Sequence, residues 1–308
     1  MIDFTLSTYK ILLESLQYGN CTFQSFAQYL KEPAPRSVIL RHDVDAKKLN
    51  SLATARLENE LGISGTYYFR MVPESFDEGV IRKIYELGHE VGYHYEDVSM
   101  VAVRGARYAV RGTEGPKDPL LGGVGVGFFH RAHSSNKLPD ALVTDAIGSF
   151  QKNLDILRRI VPIETICMHG SPLSQWDNRL LWNYYDYKDY GIIGEPYFDL
   201  DFNEVLYLTD TGRRWDGEGV SVRDKAQGTR HRAQGDRLTP HASRLTPHAR
   251  FHSTFDIIDA AQSNALPDKI MITVHPQRWT NKPLPWLKEL VWQNVKNAGK
   301  WMVVRLTA

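Results

Sequence analysis

Four short stretches of the sequence carry residues whose types and spacing suit hydrolytic chemistry: "RHDVD", "YHYED", "MHGSP" and "VHPQRW". The first sets two carboxylates, Asp43 and Asp45, two residues apart. Alternate side chains of a strand share a face, so Arg41, Asp43 and Asp45 face one way and His42 and Val44 the other. Two carboxylates on one face can divide a task, one ligating a cation while the other stays free as a base. Capping of the helix expected over "AKKLNSL" is the alternative use of both. The second stretch supplies His94, with Glu96 and Asp97 behind it to coordinate a cation or orient the ring. A hydrogen-bonded rim histidine is the alternative for His94. The third supplies His169, with Cys167 on the same strand face, read as a buried structural thiol. The fourth supplies His275, followed by Arg278 and Trp279. Trp279 either stacks on a sugar ring or fills the core, and Trp176 is a second ring for such a site.

Each stretch closes an apolar run, and that is what positions it. "SVIL", "HEVGY", "ETICM" and "KIMITV" have strand composition, and "GTYYFR" adds another strand. Between them lie amphipathic patterns of helical period: "STYKILLESLQYG", "NSLATARLENELG", "ESFDEGVIRKIYELG", "DALVTDAIGSFQKNLDILRRIV", "TFDIIDAAQSNALP" and "LPWLKELVWQNVKNAG". Strands alternating with helices predict a parallel α/β sheet, in which chemistry gathers at the carboxyl ends of the strands. His94 falls at such an end. His89 falls at the start of the same strand, at the opposite pole, and is read as structural.

Two segments lack this alternation, at about 101–138 and 225–250. The first is rich in glycine and basic residues. The second holds the tandem repeat "RLTPHAS", "RLTPHAR" and the histidines His231, His241 and His248, read as a solvated loop expansion. The chain is expected to be a single domain over residues 1–308.

Composition narrows the function classes. Lys and Arg number 37 against 36 acids, for a formal charge of +1, so no basic excess points to nucleic acid. No run reaches the roughly 18 apolar residues of a membrane span. The two cysteines, Cys21 and Cys167, are far apart and make no disulfide framework or zinc knuckle. The N-terminus has no basic head before a long apolar core, so a cytoplasmic location is expected. A G-x-S-x-G elbow is absent, and "LGGVGVGFF" lacks the helix and acidic partner of a dinucleotide site.

Taken in order, the four stretches resemble the polysaccharide deacetylase family, the NodB-type carbohydrate esterases of family 4. "HDVD" looks like its first motif, in which one Asp is the catalytic base and another binds the metal. "GHEVGYHYED" looks like the segment with its histidine ligands, and "VHP" looks like the closing motif with the catalytic histidine. "MHGSP" falls where the family has an Arg-containing loop. The resemblance spans roughly residues 36 to 285. It implies a distorted (β/α)7–8 barrel, a divalent metal that is usually Zn2+, and removal of N-acetyl groups from a carbohydrate. It further implies Asp43 as base, Asp45 and His94 as metal ligands, and His275 as the acid that protonates the leaving amine.

The chain departs from the family twice. The second histidine ligand is expected four residues after His94, where Val98 stands, and His169 is the preferred replacement, with Asp97 or water as alternatives. His169 also stands where the motif-three arginine is expected. Trp176, Arg278 and Trp279 are assigned to the substrate. Two other functions remain in view: a non-catalytic carbohydrate-binding descendant of the barrel, and an amidohydrolase acting on a small non-sugar amide.

Overall fold

The computed structural model describes residues 2–110, 137–170, 174, 176–215 and 251–306. The duplicated segment with His231, His241 and His248, the residues 111–136, and the Ser171–Pro172 turn lie outside the described residues.

Seven parallel strands form one curled sheet, an open half-barrel with helices on its outside. They are β1 (Thr22–Gln24), β2 (Ser37–Val44), β3 (Thr66–Phe69), β4 (Glu90–Tyr95), β5 (Ile166–Met168), β6 (Leu206–Thr209) and β7 (Lys269–Val274). The order is β5-β4-β3-β2-β7-β6. β7 runs along Ser37 to His42 of β2, so β1 and β3 share the other edge, β1 beside Ser37 to Ile39 and β3 beside Arg41 to Val44. β5 and β6 do not pair. The segment that follows β5 lies along its free edge instead, through the Ile166 to Gly194 bond and the short helix α7 (Pro196–Asp199). The strands and their parallel direction agree with the sequence pattern. The sheet is less closed than a full barrel, because the chain between β5 and β6 forms 3-10 turns (Asn178–Asn183 and Tyr187–Tyr190) in place of a further strand.

The flanking helices are α1 (Leu6–Tyr18), α2 (Phe26–Lys31), α3 (Lys48–Glu60), α4 (Glu78–Glu86), α5 (Asp97–Val110), α6 (Asp140–Arg158), α8 (Thr254–Gln262) and α9 (Pro283–Leu306). Side-chain caps fix several starts: Thr5 for α1, a Ser25–Gln28 capping box for α2, Asp77 for α4 and a Ser253–Asp256 box for α8. α3 has no such cap; its first residue follows Lys47, and neither Asp43 nor Asp45 caps it. The first ten residues of the segment expected to be irregular at about 101–138 are instead helical, since α5 carries the chain to Val110. The last helix also runs past the expected stop at Gly299, to Leu306.

Two apolar clusters lie side by side between the outer face of the sheet and its helices, and a smaller one, of Phe26, Ile39, Leu200, Val205 and Met271, lies on the inner face. Of the outer two, one joins β3, β4 and β5 to α3, α4 and α6, and the other joins β2 and β7 to α1 and α8. Gly92 permits a close approach in β4, since a Cβ there would fall inside the Tyr68 ring. A polar network lies behind β2, on the face opposite Asp43. His42 Nδ1 donates to Thr66 O (3.1 Å), and its Nε2 lies 2.9 Å from Glu58 Oε1. Tyr9 and Tyr67 donate to the two oxygens of Glu58 at 2.7 and 2.9 Å. His89 joins at the strand's start, accepting from Gly65 N and donating to Ala55 O. His42, Glu58 and Tyr67 are wholly buried.

Removing one member of a satisfied buried network strands its partners. Glu58→Ala should therefore lower unfolding free energy by about 3–5 kcal/mol, and Glu58→Gln by less, as read from urea denaturation.

Candidate metal centre

Because all seven strands run the same way, their carboxyl ends meet at one rim. β2 brings Asp43 and, just past its end, Asp45. β3 brings Arg70, β4 brings His94 and Glu96, β5 brings His169, β6 brings Asp210, and β7 brings His275.

Asp43 is gripped by its own strand. Arg41, on the same face, donates Nε to Asp43 Oδ1 (2.8 Å) and Nη2 to Oδ2 (2.7 Å). Burial alone would raise the Asp43 carboxyl; Arg41, His94 and His275 outweigh it and hold the group well below the carboxylate range. Asp45 turns into the rim after a tight bend. Burial opposes its charge too, but His169, His275 and His94 surround it and hold it ionised.

His94 donates Nδ1 to the Cys167 carbonyl (2.9 Å), which leaves Nε2 as the lone-pair nitrogen. That atom lies 3.6 Å from Asp45 Oδ1 and 3.7 Å from Asp43 Oδ2. Burial first, with His169 and Arg41 adding to it, pushes His94 down to about 4, so the ring is neutral at neutral pH. His169 donates Nδ1 to Glu96 Oε2 (2.8 Å) and sets Nε2 3.6 Å from Asp45 Oδ1. Glu96 is itself clamped by Arg70, from Nε at 2.9 Å and from Nη2 at 2.9 Å. Glu96 thus orients His169 and not His94.

The ligand atoms of Asp45, His94 and His169 lie within 4.8 Å of one another. Asp45 Oδ1 is buried with no hydrogen-bond partner among the described residues. One orphaned carboxylate oxygen facing two imidazole lone pairs fits a divalent cation of borderline softness, and two histidines with one carboxylate leave room for a water. Asp43, His94 and Cys167 form a second close group. It suits a cation less well, because the Arg41 fork already occupies both Asp43 oxygens and burial raises the Cys167 thiol.

Asp97 is not a ligand. It points into the α5–α6 contact, where it accepts from Tyr93 (2.7 Å), Ser149 (2.7 Å) and Asn153 (2.9 Å). Val98 is wholly buried.

His275 stands beside Asp45 and close enough to Asp43 to act on its charge. Its Nδ1 lies 2.5 Å from Asp210 Oδ1, its backbone N–H donates to Oδ2, and Nε2 reaches within 3.8 Å of Asp45 Oδ2. It lies outside the group of mutually close ligand atoms. Burial would raise Asp210, but Arg278 and then His275 outweigh it and keep the carboxylate charged.

Two substrate assignments are corrected by this arrangement. Trp279 is fully buried among Phe4, Tyr9 and Trp215 and donates Nε1 to Asp210 Oδ2 (2.8 Å), so it offers no face to a sugar. Arg278 is buried as well and spends its Nη1 on the carbonyl (2.7 Å) and side chain of Asp210. Both brace the acid beneath His275. Trp176 is half-buried against the larger core. Asp210, Arg70 and the role of Arg41 went unread in the sequence. The signal for Asp210 was present in "EVLYLTD", an alternating apolar run ending in Asp, like the other rim strands.

His94→Ala should abolish stoichiometric zinc binding in calorimetry. Glu96→Ala should weaken binding by about 10–100-fold, since it frees the His169 ring. A separate prediction concerns Asp97, which burial pushes up to about 6 from 3.8. A carboxyl raised on folding adds stability that is fully present below the unfolded value and is lost as pH rises through the folded one. Asp97→Asn should remove that loss, so its advantage over the wild type in urea denaturation should grow by about 1–3 kcal/mol between pH 4 and pH 7. No protein-family model, curated protein or solved structure matches this chain, so the roles of these residues rest on their geometry and chemistry.

Proposed function

We propose that the chain is a metal-dependent hydrolase of polysaccharide deacetylase type, which removes N-acetyl groups from a sugar or polysaccharide precursor. One observation carries this: an arginine-clamped carboxylate, Asp43, shares His94 Nε2 with Asp45, and a carboxylate-braced histidine, His275, reaches the other oxygen of that same Asp45. A base and an acid close to one ligand carboxylate suit amide hydrolysis, which needs a proton removed from water and another delivered to nitrogen.

A divalent cation held by Asp45, His94 and His169, zinc by preference, would lower the pKa of a bound water toward about 7 and polarise a carbonyl. Asp43 accepts the proton of the attacking water. Arg41 keeps it ionised and aimed, at some loss of basicity. The water oxygen bonds to the amide carbon, the C–N bond breaks, and the nitrogen takes its proton from Nε2 of His275. Asp210, ionised against Arg278, stabilises the imidazolium form of His275 before that transfer. The products are acetate and a free amine, with no redox change. The non-catalytic alternative drew on Val98. His169 Nε2, 3.6 Å from Asp45, occupies the role left open there and favours the enzyme.

Asp43→Asn and His275→Ala should each lower acetate release from N-acetylated oligosaccharides by about 10²–10⁴-fold, with thermal melting little changed. Full turnover in either variant would count against the assignment. Ring opening of a cyclic ureide without acetate release would favour the small-amide alternative.

A further inference from the structure

Helix α9 is built inside out. Leu284, Leu287, Val291 and Val295 are 79, 51, 56 and 57% exposed, in a protein whose other large apolar side chains are mostly buried. At 3.6 residues per turn these four and Lys288 fall within an arc of about 100°. The opposite face holds the polar contacts. Trp286 donates its indole N–H to Asp3 O (2.8 Å), Glu289 pairs with Lys47 (2.7 Å), and Gln293 is buried. An amphipathic helix on a protein normally turns its apolar stripe to the core. Here the stripe faces out, and nothing among the described residues covers it.

The charge on the helix says what would cover it. From Lys282 to Leu306 the sequence has five basic residues and one acid, Glu289. That acid is already tied to Lys47 and turned inward. Lys288 sits within the apolar arc and is exposed. A second copy of the helix packed on this face would bury an ammonium group in a dry contact, and the arc holds no acid to meet it. A bilayer surface imposes no such penalty: leucine and valine side chains enter the acyl boundary while lysine reaches back to the phosphates. Lys47 also bonds the Gln277 carbonyl (3.2 Å), so the helix begins beside the rim that carries Asp45.

We propose that the outward face of α9 docks the protein on an anionic membrane surface, with Leu284, Leu287, Val291 and Val295 inserted and Lys288 among the headgroups. The docking does not depend on the proposed hydrolysis. Among the described residues no helix is long and apolar enough to cross a membrane, so the attachment is peripheral.

The test is co-sedimentation of the full chain with phosphatidylcholine vesicles, with and without phosphatidylglycerol. The wild type should bind the anionic vesicles at least about tenfold better than the neutral ones and release at high salt. A Leu287→Asp, Val291→Asp double variant should lose that binding, and Lys288→Glu should weaken it; all three side chains are exposed, and each variant should keep the wild-type melting curve and zinc binding. Absence of binding to either vesicle overturns the proposal, as does equal binding by wild type and double variant. Concentration-dependent dimers that the double variant dissolves, seen by sedimentation equilibrium, also overturn it, assigning the face to a second copy.

Discussion

A guanidinium buried in the middle of a sheet must be neutralised where it stands. Arg41 is 1% exposed, and its fork meets both oxygens of Asp43. Losing either partner would leave a lone charge in a low-dielectric interior, so the two are locked together. The rim is arranged around that lock. Asp43 stays ionised, Asp45 adds a second negative charge close by, and His94, His169 and His275 close around the two carboxylates. Excess negative charge in a partly closed site is what a divalent cation would offset.

The histidines follow a single rule. Each ties its far nitrogen to an acceptor from elsewhere in the fold and so presents Nε2 to the rim. The acceptors are the Cys167 carbonyl on β5 for His94, Glu96 beyond β4 for His169, and Asp210 beyond β6 for His275. Arg70 and Arg278 then fix the two carboxylates. Orientation therefore comes from neighbouring strands and not from the strand that carries the ring, and so a curled parallel sheet is a suitable scaffold. Alternation along β2 also separates two tasks. Asp43 faces the rim side, while His42, one residue earlier, is sealed against Glu58 and the tyrosines behind the sheet. A one-residue slip of register would exchange the two sets.

Much of this was legible along the chain because apolar runs and helix caps are local signals. Parallel alternation, the strand-end clusters, and the separation of His42 from Asp43 and of His89 from His94 all follow from period and position. Asp210 is legible only in part: "EVLYLTD" is an alternating apolar run that ends in it, but β6 is four residues long, far from β7 in sequence, and its place in the sheet is set by pairing with β7 alone. Asp97 looked like a ligand because it follows His94 closely, yet helix α5 begins there and carries its side chain away. Trp279 looked like a sugar platform because it follows His275, but the 3-10 turn Pro276–Arg278 folds it back into the core.

The sequence by itself determined which residue types reach the rim, since strand direction and hydrophobic period depend only on neighbours along the chain. The tertiary structure decided which of them meet. That Glu96 serves His169 and that Asp210 stands beneath His275 are contacts between side chains 73 and 65 residues apart. Such contacts depend on how far the sheet curls and which strands lie side by side, and no local pattern encodes either.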